Sequence, residues 1–168
     1  MITAVSQQPP PVTDPEPVPV LASTVLSVVM RVAGPVPTDV RPYALGHPEQ
    51  QVTARIGDAV VYLTDGAVAA RIRQQWDAAQ YLAAARLPER VSQTWLVPRP
   101  GSYPLGVALR LTGTVEVATQ WIIGRRATNT PAHLRVRVDR LVWQVCDQQS
   151  WQRIGQAWFD AQQYLTAR

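Results

Sequence analysis

Two stretches of this chain carry the same pattern of apolar and polar positions in the same order. In LRVRV (134–138), Leu134, Val136 and Val138 alternate with Arg135 and Arg137, the period of two that marks a half-buried strand. A second apolar run, LVWQV (141–145), follows Asp139-Arg140, so the two runs read as a hairpin. Residues 51–63 repeat the arrangement, with QVTARI and AVVYL turning at Gly57-Asp58. Beyond each hairpin the period changes to that of a helix. Asp65 and Asp147 stand where a short carboxylate would cap the free amides of a first turn. At about 100° per residue, Val68, Ile72, Trp76, Ala79 and Ala83 share one stripe, and Trp151, Ile154, Trp158, Ala161 and Leu165 share its counterpart. The tryptophans of these stripes are expected to pin each helix onto its sheet.

Aligned without a gap, residues 51–86 and 133–168 are identical at eleven of 36 positions, Arg55/Arg137, Asp65/Asp147, Ile72/Ile154 and Trp76/Trp158 among them. Ordinary composition gives about one in fifteen by chance. Upstream, VMRVAGPV (29–36) matches ALRLTGTV (108–115). Strands are expected at Val25 to Ala33, Val107 to Thr112 and Val115 to Ile123. Val36 to Leu45, broken by Pro37 and Pro42, predicts a weaker edge strand. The fold class expected is α+β, a tandem duplication of a ββ(ββ)α unit forming a pseudo-two-fold, two-layer architecture of sheet plus helix. The units are 21–86 and 105–168, joined by a proline-rich linker at 87–104. Residues 1–20, rich in proline and poor in apolar residues, predict a disordered tail. Pro9-Pro10-Pro11 within it would suit a proline-recognising groove of another protein.

Charge adds an asymmetry. All 16 basic residues are arginine, the net charge is +4, and the excess falls in 105–168. Arginine suits bidentate contact with phosphate or carboxylate, so a basic face allows anionic partners. The single cysteine, Cys146, cannot form an intrachain disulfide, which fits a reducing, cytoplasmic setting. The longest apolar stretch, Val18 to Met30, contains Pro19 and ends at Arg31, short of the about 20 residues that span a bilayer. No membrane association is expected.

Two binding readings follow. In the first, Arg110, Arg135 and Arg137 share a strand face of the second unit, the loop Gly124-Arg125-Arg126 adds Arg125 and Arg126, and together they bind single-stranded DNA or RNA, with Trp143 (or Trp121) as a stacking platform. Thr53, Arg55 and Arg31 occupy the same register in the first unit. In the second, Phe159 and Tyr164, both off the apolar stripe of the last helix, contact another protein or a second copy of the chain. Catalysis is not expected. His47 and His133 lack a partner at useful spacing, and the scattered histidines and cysteine make no metal site. Cys146 precedes a helix N-terminus, which can lower a thiol pKa. No glycine-rich phosphate loop is present and no cofactor is implied.

Overall fold

The computed structural model describes residues 27–91, 106–125, 127 and 130–167. The expected tail at 1–20, most of the expected linker, and Arg126 lie outside the described residues. The molecule is α+β: β1 (Val28–Val32), β2 (Thr38–Tyr43), β3 (Gln51–Ile56), β4 (Ala59–Leu63), α1 (Gly66–Ala78), α2 (Gln80–Arg86), β5 (Val107–Leu111), β6 (Val117–Ile122), β7 (His133–Val138), β8 (Leu141–Val145) and α3 (Gln148–Thr166).

Both hairpins turn where their residues permit it. Gly57 and Asp139 sit at φ 59° and 53°, a left-handed conformation that glycine adopts freely and aspartate tolerates. The alternation then decides the faces. Leu134, Val136 and Val138 are buried while Arg135 and Arg137 are exposed, and Val52, Ala54 and Ile56 are buried while Arg55 is exposed. β2 is an edge strand, as its prolines require: Pro42 pairs with Val52 on one side only.

The strands form two sheets, ordered β1-β8-β7-β6 and β5-β4-β3-β2; they are called here the β7 sheet and the β3 sheet. Each takes one strand from the opposite half of the chain. β1 runs parallel to β8, with Val28 opposite Leu141 and Val32 opposite Val145. β5 runs parallel to β4, with Val107 opposite Ala59 and Leu111 opposite Leu63. Four consecutive strands beneath one helix, the arrangement expected from sequence, is therefore not how the sheets are composed. The physical reason lies in the connections. A parallel neighbour needs a long crossover, and α1, α2 and the segment after them supply it between β4 and β5. The antiparallel registers correspond across the sheets: Val52 faces Leu63 and Ile56 faces Ala59 in one, Leu134 faces Val145 and Val138 faces Leu141 in the other.

The helices cross over as well. α3 follows β8 but packs on β2 and β3, and α1 follows β4 but reaches β6. α1 and α3 run antiparallel, since Gly66 lies beside Leu165 at one end and Gln80 accepts from the Trp151 indole at the other, 2.6 Å away. Between these ends Trp76 stacks on Trp151, ring centroids 4.2 Å apart, and donates to the Trp151 carbonyl at 3.3 Å. Trp76 thus pins helix to helix as well as filling the core. The helix expected to run unbroken from Asp65 is divided at Ala79, whose amide is shared between the Gln75 and Trp76 carbonyls. The local sequence, AAQYLAAAR, holds no helix breaker and does not account for the division.

All ten predicted stripe positions are buried, and one hydrophobic cluster joins both sheets and all three helices. Asp65 and Asp147 both cap their helices, but differently. Among the described residues Asp65 accepts from Ala67 N alone, at the surface. Asp147 is fully buried and accepts from Ser150 N, Ser150 Oγ, Gly34 N and Val91 N, tying the end of β1 and the end of the α2 segment to α3. Among the described residues no helix is long and apolar enough to cross a membrane.

Candidate nucleic-acid interface

Each sheet turns one face to the shared core and the other to solvent, and the pairing registers say which side chains share the solvent face. Across the β7 sheet one row reads Arg31, Gln144, Arg135, Gln120, and the next reads Val29, Val142, Arg137, Ala118. Arg31 donates from Nε to Gln144 Oε1 at 2.8 Å. Arg137 pairs with Glu116. Arg135 makes no ion pair among the described residues. Arg125 lies exposed in the loop that follows β6, where its backbone bridges to Thr130.

Arg110 is not on this face. Because β5 joins β4, Arg110 lies on the outer side of the β3 sheet, where one row reads Arg41, Thr53, Tyr62, Arg110 and the neighbouring row reads Asp39, Arg55, Val60, Ala108. Arg31 takes the equivalent place on the β7 sheet. The predicted single cluster is thus divided: Arg135 and Arg137 stay together with Arg31, and Arg110 stands with Arg41 and Arg55. Arg41 pairs with Asp39 at 2.7 Å. Arg110 donates to Gln51 Oε1 at 3.4 Å and Arg55 to Gly57 O at 3.3 Å, neither engaging a carboxylate among the described residues.

Trp143, expected as a stacking platform, is fully buried. On β8 it shares the parity of Leu141 and Val145, which face the core, so no base can reach it. Trp121 is half-buried and packs against the same core. Among the described residues the solvent face of the β7 sheet therefore exposes no Trp, Tyr or Phe, and His133, which has the parity of Arg135 and Arg137, is buried. The β3 sheet does present such rings: Tyr62 lies in the row of Arg110, and Tyr43, 64 % exposed, lies beside Gln51 at the edge. The alternation in AVVYL, with Val60 and Tyr62 opposite in sense to Ala59, Val61 and Leu63, already marked Tyr62 as outward. Its neighbours were hidden, because the parallel β4–β5 pairing has no local signature.

On α3, Phe159 is 40 % and Tyr164 is 38 % exposed. Five residues apart on a helix, they diverge by about 140° and do not form one patch. The Arg73 guanidinium lies 5.5 Å from the Phe159 ring centre, so one side of the ring already has a cationic neighbour.

The titratable groups argue against nucleophilic chemistry at Cys146. Burial pushes its thiol up to about 12, against a smaller opposing pull from Arg31, so the thiolate needed for attack does not form near neutrality. His133 is buried, its Nδ1 2.9 Å from Pro131 O and its Nε2 without a partner. Burial lowers its pKa, the bond to Pro131 raises it, and the positive charges of Arg31 and Arg135 lower it further. Among the described residues no group of three or more His, Cys, Asp and Glu is placed to hold a metal ion. No family model, curated protein or solved structure matches this chain.

Proposed function

We propose that the protein is a non-catalytic, cytoplasmic binder of single-stranded nucleic acid, built by tandem duplication of a ββ(ββ)α unit whose copies exchange their first strands. The observation that carries this reading is the gathering of arginines on the two solvent-facing sheet surfaces. Arg31, Arg135 and Arg137 come together on one and Arg41, Arg55 and Arg110 on the other, each set drawn from both halves of the chain. Strands stand about 4.8 Å apart, so arginines two or three strands away from one another are set about 10 to 14 Å apart, a spacing that suits alternate rather than neighbouring phosphates. Each such contact releases counterions. The matching registers of β3–β4 and β7–β8 support the duplication.

The test is fluorescence anisotropy of a labelled oligo-dT against salt. With three or four phosphates contacted, the logarithm of the affinity should fall with that of salt at a slope of about −2 to −3, since each phosphate contributes about −0.7 on a single strand. Absence of binding at low salt would sink the reading. The other reading, assembly through α3, draws less support, because Phe159 and Tyr164 diverge and Phe159 is partly occupied by Arg73.

A further inference from the structure

The two basic faces are alike in charge and unlike in everything else. Around its arginines the β7 sheet carries glutamines, which can donate to phosphate oxygens, and small aliphatic side chains, none of which offers an aromatic ring to a base. The β3 sheet sets two tyrosines among its arginines. Tyr62 pairs with Arg110 on one side and with Thr53 on the other, and Arg41 stands beyond Thr53 in the same row. The guanidinium of Arg110 crosses β4, the strand that bears Tyr62, to reach Gln51. Tyr43 lies next to Gln51 and is mostly exposed. Arg55 and Arg110 make no ion pair with a carboxylate among the described residues; Asp39, which stands opposite Arg55 on the ladder, is engaged by Arg41.

We infer that the outer face of the β3 sheet is where the unpaired bases of a single strand are held, Tyr62 and Tyr43 stacking on them while Arg55 and Arg110 take the flanking phosphates. This rests on the nucleic-acid reading above. The chemistry is complementary in two independent ways. The face presents positive charge to an anionic strand, and it presents aromatic rings to bases that only a single strand exposes. A duplex, its bases stacked on one another, can use the arginines and not the tyrosines. The β3 face should therefore confer preference for single strands, and the β7 face should add affinity without distinguishing the two forms.

The experiment compares the full chain with Y43A/Y62A, Y43F/Y62F and R135A/R137A, titrating a labelled 12-nucleotide oligo-dT and a duplex of the same length at about 50 and 200 mM salt. Y43A/Y62A should lose about tenfold in single-strand affinity per tyrosine, keep the wild-type salt slope and keep its duplex affinity. Y43F/Y62F should bind as wild type does. R135A/R137A should weaken both ligands alike and flatten the slope by about one unit or more. Wild-type single-strand binding by a folded Y43A/Y62A overturns the inference and leaves the nucleic-acid reading standing. An equal loss on duplex also overturns it, since stacking is not then the cause. Absence of any salt-dependent binding by the wild type removes both. Should Y62A prevent folding, as read by circular dichroism, Tyr43→Ala alone carries the comparison, because Tyr43 is largely outside the core.

Discussion

His133 opens β7 as a residue that is unremarkable in sequence and is buried in the fold. Its Nε2 is buried without a partner and two arginines repel its charged form. The folded protein therefore binds a proton at His133 less readily than the unfolded chain does. Above the unfolded pKa of about 6.5 both states are neutral and His133 adds no pH dependence. As pH falls through that value the unfolded chain takes up the proton first, so stability is lost on acidification. The urea midpoint should drop between about pH 7 and pH 5.5, by at most about 1.4 kcal/mol of stability per pH unit for one proton. His133→Gln should remove most of that slope; an unchanged slope in the variant would show that the acid sensitivity arises elsewhere. At the same scale, the paired aspartates show how far identity in sequence can mislead. Asp65 and Asp147 align in the sequence, and both cap. Only Asp147 has three further donors, and those come from Gly34, Val91 and Ser150 Oγ, two of them far away in the chain.

At the scale of the elements, periodicity was a good guide to which residues are buried and a poor guide to what they touch. Every stripe residue of the helices is inside. The partner of Trp76, however, is Trp151 on the neighbouring helix, and that contact depends on Gly155. A Cβ at Gly155 would stand 2.9 Å from Trp76 Nε1 and 3.0 Å from its Cδ1, and the ring cannot swing aside because it is buried and stacked. In an exposed helix Gly→Ala stabilises by about 1 kcal/mol, whereas overpacking a core costs about 1–3 kcal/mol. Gly155→Ala should therefore be destabilising by up to about 2 kcal/mol in urea unfolding, with a change in tryptophan fluorescence as the stack opens. Stabilisation by the substitution would mean that α1 and α3 separate easily.

For the molecule as a whole, the exchange of β1 and β5 makes each sheet depend on both halves of the chain, and the crossing of α1 and α3 does the same for the core. Neither 1–91 nor 92–168 alone should fold: each would leave a sheet short of one strand and a helix without its partner. Circular dichroism should show no cooperative thermal transition for either fragment and recovery of one when the two are expressed together; a cooperative transition in a lone fragment would refute the dependence.

The division between what the sequence determined and what only the tertiary structure decided follows the range of the interactions. Strand alternation, the turns at Gly57 and Asp139, the caps and the helix stripes are set by neighbours within a few residues, through sterics, hydrogen bonding and the burial of one face. They were legible, and so was the outward direction of Arg135, Arg137 and Tyr62. Strand order was not, because the backbone pairing that joins β1 to β8 and β5 to β4 carries no residue code beyond apolar alternation. That order moved Arg110 to the other face, placed it beside Tyr62, and turned one predicted basic surface into two of different chemistry.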